Sequence, residues 1–145
     1  MNIGILLPYK ENYSDYDTGA VSIFVNDTNN FSKFKKNIKI YGSTIHKPLS
    51  KNYVNLSFKK KIFQSSSKIY IKDFLDKIKN ENLKILEIHN RPHYINYLKN
   101  LKNTKKILFF HNNPLEMQGS VSVNERNKLI NDVDMLIFNS SWTKN

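Results

Sequence analysis

Apolar positions in this chain come in short, spaced runs. Residues 2 to 7, NIGILL, are almost unbroken and stop at Pro8. A parallel strand covered on both faces reads this way, so a buried strand is predicted. After the polar loop YKENYSDYD the period changes. From Thr18-Gly19 onward, Ala20, Val21, Phe24, Val25, Phe31 and Phe34 suit a helix buried along one stripe. Asp17 or Thr18 can cap it. NIKIYG, 37 to 42, predicts a second strand ending at glycine, and alternating Val54, Leu56 and Phe58 predict a third, with a hairpin.

Residues 69 to 80 predict a helix with Tyr70, Phe74 and Ile78 on one face and Ile71 and Leu75 beside them. LKILEI predicts a strand. Residues 93 to 101 then predict a helix presenting Tyr94, Tyr97, Leu98 and Leu101, with Pro92 in its first turn. KILFF predicts another strand. Ser122 and Glu125 have the spacing of a capping box, opening a helix to about Asn131 with Leu129 and Ile130 inward. DMLIFN, 134 to 139, predicts the last strand. Strands alternating with helices define an α/β class: a Rossmann-like, open, mostly parallel sheet with helices on both faces.

Within this pattern one phrase occurs twice. KILEIHNRP at 84 to 92 and KILFFHNNP at 106 to 114 lie 22 residues apart. That offset fits one strand-plus-helix unit, so the copies predict neighbouring strands. Ligands of open parallel sheets bind beyond the carboxyl ends of strands. Both His-Asn pairs are therefore expected at one crevice.

The chain has 145 residues, enough for one domain with a real core. It has no cysteine, which excludes disulfides and thiolate metal sites. No apolar run approaches the ~18 residues of a membrane span. MNIGILLPYKEN lacks the basic leader of a secretory signal. A cytoplasmic location is expected, with peripheral contact at an anionic membrane face open to it. The net charge is +11. Such a charge suits a polyanion partner, but the lysines are spread through every segment, and no nucleic-acid module is visible. No specific nucleic acid is expected. The cluster Phe58-Lys59-Lys60-Lys61-Ile62-Phe63 suits an anionic membrane surface or a lysine-protected sheet edge.

The strand-end residues each admit two readings. Gly19 permits close packing, or a phosphate at a helix start. His89 and His111 bond loops or a ligand. Arg91 is a surface ion-pair partner or a fork for phosphate or carboxylate. His89 and His93 are spaced i, i+4, but Pro92 lies between them, which speaks against a metal site. No P-loop and no nucleophile elbow is present.

The ordered set ILEIHNRP, ILFFHNNP, SVNERNKLI and DVDMLIFNSSW, with TGAVSIFV near the start, resembles the N-terminal domain of GT-B glycosyltransferases. The retaining family 4, or group 1, enzymes of polysaccharide and lipopolysaccharide biosynthesis are the most similar. The resemblance covers most of the chain outside residues 43 to 69. It implies an acceptor-side domain facing a second domain that holds the nucleotide-sugar donor. It makes His111 the catalytic candidate, at the donor sugar. Thr18, Gly19, Asn112, Asn139 and Ser140 fall on the donor side. His89, Asn90, Arg91, Asn113 and Arg126 fall on the side of a glycan or lipid-linked acceptor. No metal and no cofactor is implied, the nucleotide-sugar being substrate. The family's double glycine is reduced to Gly19, and the donor-binding C-terminal domain is expected outside this chain. Alone, residues 1 to 145 are expected to be inactive. The alternative is a non-catalytic module that binds a nucleotide or glycan in the same crevice.

Overall fold

Among the described residues, six short strands pair in parallel into one open sheet. The computed structural model describes residues 1–44, 46–56 and 65–141. In chain order the elements are β1 (Asn2–Leu6), α1 (Ala20–Phe31), β2 (Ile38–Gly42), β3 (Tyr53–Asn55), α2 (Ser66–Ile78), β4 (Leu83–His89), β5 (Lys105–Phe110), α3 (Val123–Asp132) and β6 (Met135–Phe138). The sheet order is β3-β2-β1-β4-β5-β6. This is the doubly wound, Rossmann-like order, which reverses direction between β1 and β4. The expected α/β class is what the chain forms.

Each sheet face has its own core. On one, Ile3, Ile5, Leu7, Ile38 and Ile40 pack against Val21 and Val25 of α1. On the other, Leu6, Leu86, Ile88, Leu108 and Phe110 pack against Tyr70, Ile71, Phe74 and Ile78 of α2 and Leu129 of α3. Helices therefore cover both faces.

Several local expectations are corrected. Among the described residues the third strand forms no hairpin with β2: β3 runs parallel to it, with Ile40 opposite Tyr53. The ten-residue connection from Gly42 to Tyr53 exceeds the short turn that reverses a chain. Phe58 and the 58–63 lysine cluster lie outside the described residues, as do residues 142–145.

The helix expected over 93 to 101 is instead a 3₁₀ segment, Pro92–Tyr97, with proline in its first turn. Its tighter period of three buries Pro92, Ile95 and Leu98 together with Tyr94, and leaves Tyr97 39% exposed. In α1 the buried stripe is Val21, Ser22, Val25 and Asn29. Ala20 is exposed and Phe31 is 91% exposed, because both fall off that stripe at 3.6 residues per turn. Phe34 lies beyond the helix end. In α3 Ile130 faces solvent while Leu129 faces in. The capping box is formed: the Glu125 N–H donates to Ser122 Oγ at 3.2 Å, and the Ser122 N–H donates to Glu125 Oε2 at 2.9 Å.

Two buried tyrosines fix the loop leaving β1. The Tyr70 hydroxyl donates to the Leu7 carbonyl at 2.9 Å, and the Tyr94 hydroxyl accepts from the Tyr9 N–H at 2.9 Å. Burial raises the pKa of both, so both stay neutral hydrogen-bonding groups.

Candidate functional site

The carboxyl ends of β1, β4, β5 and β6 open onto one crevice of about 470 Å³. Pro8 and Glu11 line it from the end of β1, and Ala20 and Val21 from the start of α1. Asn90 and Arg91 follow β4, His111 and Asn112 follow β5, and Asn139 follows β6. It sits where the strand order reverses, the usual ligand position in such sheets. A second hollow, along Lys102–Lys106 and Asn131–Asp134, lies at the opposite, amino ends of β5 and β6.

The repeated phrase supplies the centre of the crevice. Its copies are 22 residues apart, yet β4 pairs with β5 at an offset of 20, His89 lying opposite Phe109. The two histidines are therefore staggered by two residues along neighbouring strands. Two is the strand period, so both rings point to the same sheet face. His89 is buried at 1% exposure, and His111 stands beyond it at the rim. Their rings stack at 5.2 Å, and His89 Nδ1 lies 2.8 Å from His111 Nε2. Phe24 of α1 closes over the pair, edge-on to His111 at 4.9 Å.

The backbone around His111 is pinned by its neighbours. Asn90 adopts a left-handed conformation, φ 52°, which asparagine tolerates better than most residues. Its Oδ1 accepts from the His111 N–H at 2.8 Å, and its own N–H donates to the Phe109 carbonyl at 2.9 Å. Asn139 Nδ2 donates to the His111 carbonyl at 2.9 Å. Burial, and then the neighbouring His89, lower the His111 pKa to about 4, so this imidazole is neutral near pH 7. Arg91 is the cation of the crevice, its Nη1 donating to the Asn90 carbonyl at 2.7 Å.

The start of α1 holds an anion from the protein itself. Gly19 is the N-cap and offers no side chain. The Ser22 N–H donates instead to Glu11 Oε1 at 3.1 Å. Asp17 and Thr18, the expected caps, do not serve: Asp17 takes a left-handed φ of 57°, and the Thr18 hydroxyl donates to the Ser14 carbonyl. A carboxylate at a helix start satisfies a free N–H and meets the positive end of the dipole.

Of the candidate residues, His111, Asn90, Arg91, Asn112 and Asn139 border the crevice, with Gly19 beside it in the turn to Ala20. His89 lies behind His111. Thr18, Asn113, Arg126 and Ser140 are not in the lining. Asn113 caps the 3₁₀ turn Pro114–Glu116, its Oδ1 accepting from the Leu115 N–H at 3.1 Å. Arg126 Nη1 donates to the carbonyls of Ser120 and Val121 at 3.0 and 2.6 Å. Ser140 is exposed at the end of β6. His93 binds Ser67 through Nε2 at 3.0 Å. Among the described residues no group of three or more His, Asp or Glu side chains is placed to hold a metal ion.

Two residues escaped the sequence reading. Glu11 is an acid in the loop after the first strand of a basic chain. Glu87 interrupts an apolar strand two residues before His89, which puts it on the face of the histidines.

Fold and site together define a Rossmann-like α/β domain with a polar crevice at its switch point. The chain matches no protein-family model, and no curated protein matches it. No helix among the described residues is long and apolar enough to cross a membrane.

Proposed function

We propose that this domain is the acceptor side of a nucleotide-sugar-dependent glycosyltransferase acting on a glycan or lipid-linked acceptor, with the nucleotide pocket on a second domain. One observation carries the reading. The ends of three strands, β4, β5 and β6, bring a neutral imidazole, three amides and one guanidinium to a single crevice. Neutral imidazole and amide groups match the hydroxyls of a sugar, and a guanidinium matches a phosphate or carboxylate attached to it.

In such a transfer the bond from the anomeric carbon to the diphosphate oxygen breaks, and the diphosphate leaves with the electron pair. The acceptor hydroxyl oxygen forms the new bond to the anomeric carbon, and its proton passes to the departing diphosphate oxygen. His111 positions the donor sugar through a hydroxyl. Arg91 meets the acceptor and Asn112 the donor, while Asn90 and Asn139 hold the His111 backbone in place. The first-turn N–H groups of α1 suit the donor diphosphate. A diphosphate arriving there exchanges with the Glu11 carboxylate.

The test is a titration of the ¹⁵N-labelled chain with nucleotide-sugars and with oligosaccharides, followed by NMR. Shifts clustered at Asn90, Arg91, His111 and Asn112, and weakened by His111→Ala in a variant that stays folded, support the reading. Saturating ligands that leave those four residues unmoved defeat it.

A further inference from the structure

The buried histidine behind the crevice has one nitrogen accounted for and one not. His89 Nδ1 meets His111 Nε2 at 2.8 Å. Among the described residues His89 Nε2 is buried without a hydrogen-bond partner. Glu87 Oε2 lies 3.8 Å from it. This is too long for a hydrogen bond but close enough for a strong charge–dipole preference in a site walled by Phe109, stacked on His89 at 4.7 Å, and by Phe24. The other nitrogen of His111, Nδ1, has no hydrogen-bond partner among the described residues, and its ring borders the crevice.

A neutral imidazole carries one N–H, and only one hydrogen fits between His89 and His111. If His89 donates it, the bare lone pair of His89 Nε2 faces the partly buried Glu87 carboxylate 3.8 Å away. If His111 donates it, His89 carries its hydrogen on Nε2, and that N–H dipole points toward Glu87. The second arrangement is favoured at Glu87 and costs nothing at His111. It leaves His111 Nδ1 as a bare lone pair toward the crevice.

We propose that Glu87 acts through His89 to fix the tautomer of His111, making the crevice imidazole a hydrogen-bond acceptor. This corner of the site then takes a ligand hydroxyl, which donates, and not a phosphate oxygen, which only accepts. The inference rests on the glycosyltransferase reading for the identity of that hydroxyl, a sugar's. The tautomer itself is independent of that reading. Glu87 and His89 are positioning residues; neither touches the ligand.

Long-range ¹H–¹⁵N correlation of the imidazole rings at neutral pH reads the tautomers directly. The expected result is Nε2–H on both histidines, with His111 Nδ1 at the position of an unprotonated nitrogen. Glu87→Gln keeps the size and removes the charge. It is expected to move His111 Nδ1 toward the protonated position as the two tautomers mix. A His111 that carries Nδ1–H in the unaltered chain overturns the proposal, and so does a Glu87→Gln variant with unchanged tautomers. Adding UDP-glucose should then perturb His111 Nδ1, while inorganic pyrophosphate should not. Expected tautomers with no response to any sugar uphold the Glu87–His89 device and count against the glycosyltransferase reading alone.

Discussion

The carboxylate of Glu11 rests on Gly19 so closely that a Cβ on that glycine would stand 2.1 Å from Oε1. The backbone there, φ −75°, is open to any residue. Close approach, not conformational freedom, is what requires glycine. An added methyl must push the carboxylate off the helix start. Glu11→Ala is therefore expected to cost about 1 kcal/mol, the usual size of a lost cap, and Gly19→Ala nearly as much. The double variant should lose about what either single one loses, since both remove the same bond. Thermal unfolding of the three variants checks this, and additive losses would contradict it.

Stability should depend on pH through His111. Its folded pKa of about 4 lies below the ordinary 6.5. Between those values the unfolded chain binds the proton and the folded one does not. Stability is therefore full above about pH 6.5 and falls as the pH drops toward 4. One proton contributes a slope of at most about 1.4 kcal/mol per pH unit, reduced here because the ring is partly open to solvent. His111→Gln should flatten this part of the profile in urea unfolding between pH 4 and 7. An unchanged profile would place the titration elsewhere.

Asn90 does two things at once: it tolerates a left-handed backbone, and it holds the His111 N–H. Asn90→Gly keeps the first and loses the second; Asn90→Ala loses both. The expected order of stability is Asn, Gly, Ala, with alanine costing roughly 2 kcal/mol from strain and an unsatisfied N–H. Denaturant titration of the pair separates them, and equal losses would show that conformation plays no part.

Arg91 is the cation of the crevice lining; it donates to the Asn90 carbonyl through Nη1 and also bonds the Tyr94 hydroxyl. Lysine keeps the charge and loses the planar fork. Arg91→Lys is expected to weaken binding of an anionic glycan about tenfold with little change in melting temperature. Isothermal titration reads the affinity, and unchanged binding would remove Arg91 from ligand contact.

Phe74 and Phe31 are both on helices, yet Phe74 is fully buried and Phe31 is 91% exposed. Phe74→Ala should cost about 3–5 kcal/mol and Phe31→Ala within about 0.5. Calorimetry of the Phe31 variant tests the inward stripe of α1 against the one its sequence suggested, with Phe74 of α2 as the buried reference.

The architecture was legible because it rests on local, periodic signals. NIGILL, LKILEI and KILFF are apolar runs of strand length, and Ser122 with Glu125 writes a helix start into four residues. The duplicated phrase announced neighbouring strands. What stayed hidden depended on packing between distant segments. Nothing local marks Phe31 as exposed or Ile95 as buried; that follows from how the stripe of α1 and the threefold turn after Pro92 meet the sheet. The Phe58–Phe63 cluster lies outside the described residues.

The sequence by itself determined that two His-Asn tips end parallel strands, since the period of side chains and the length of the runs are properties of the chain alone. Only the tertiary structure decided that they are not equivalent. The pairing register of β4 on β5 is set by contacts across the sheet, and it slides one copy two residues past the other. That step buries His89 against Glu87 and Phe109 and leaves His111 alone at the rim, because a strand displaced by one full period keeps its face and changes only its depth.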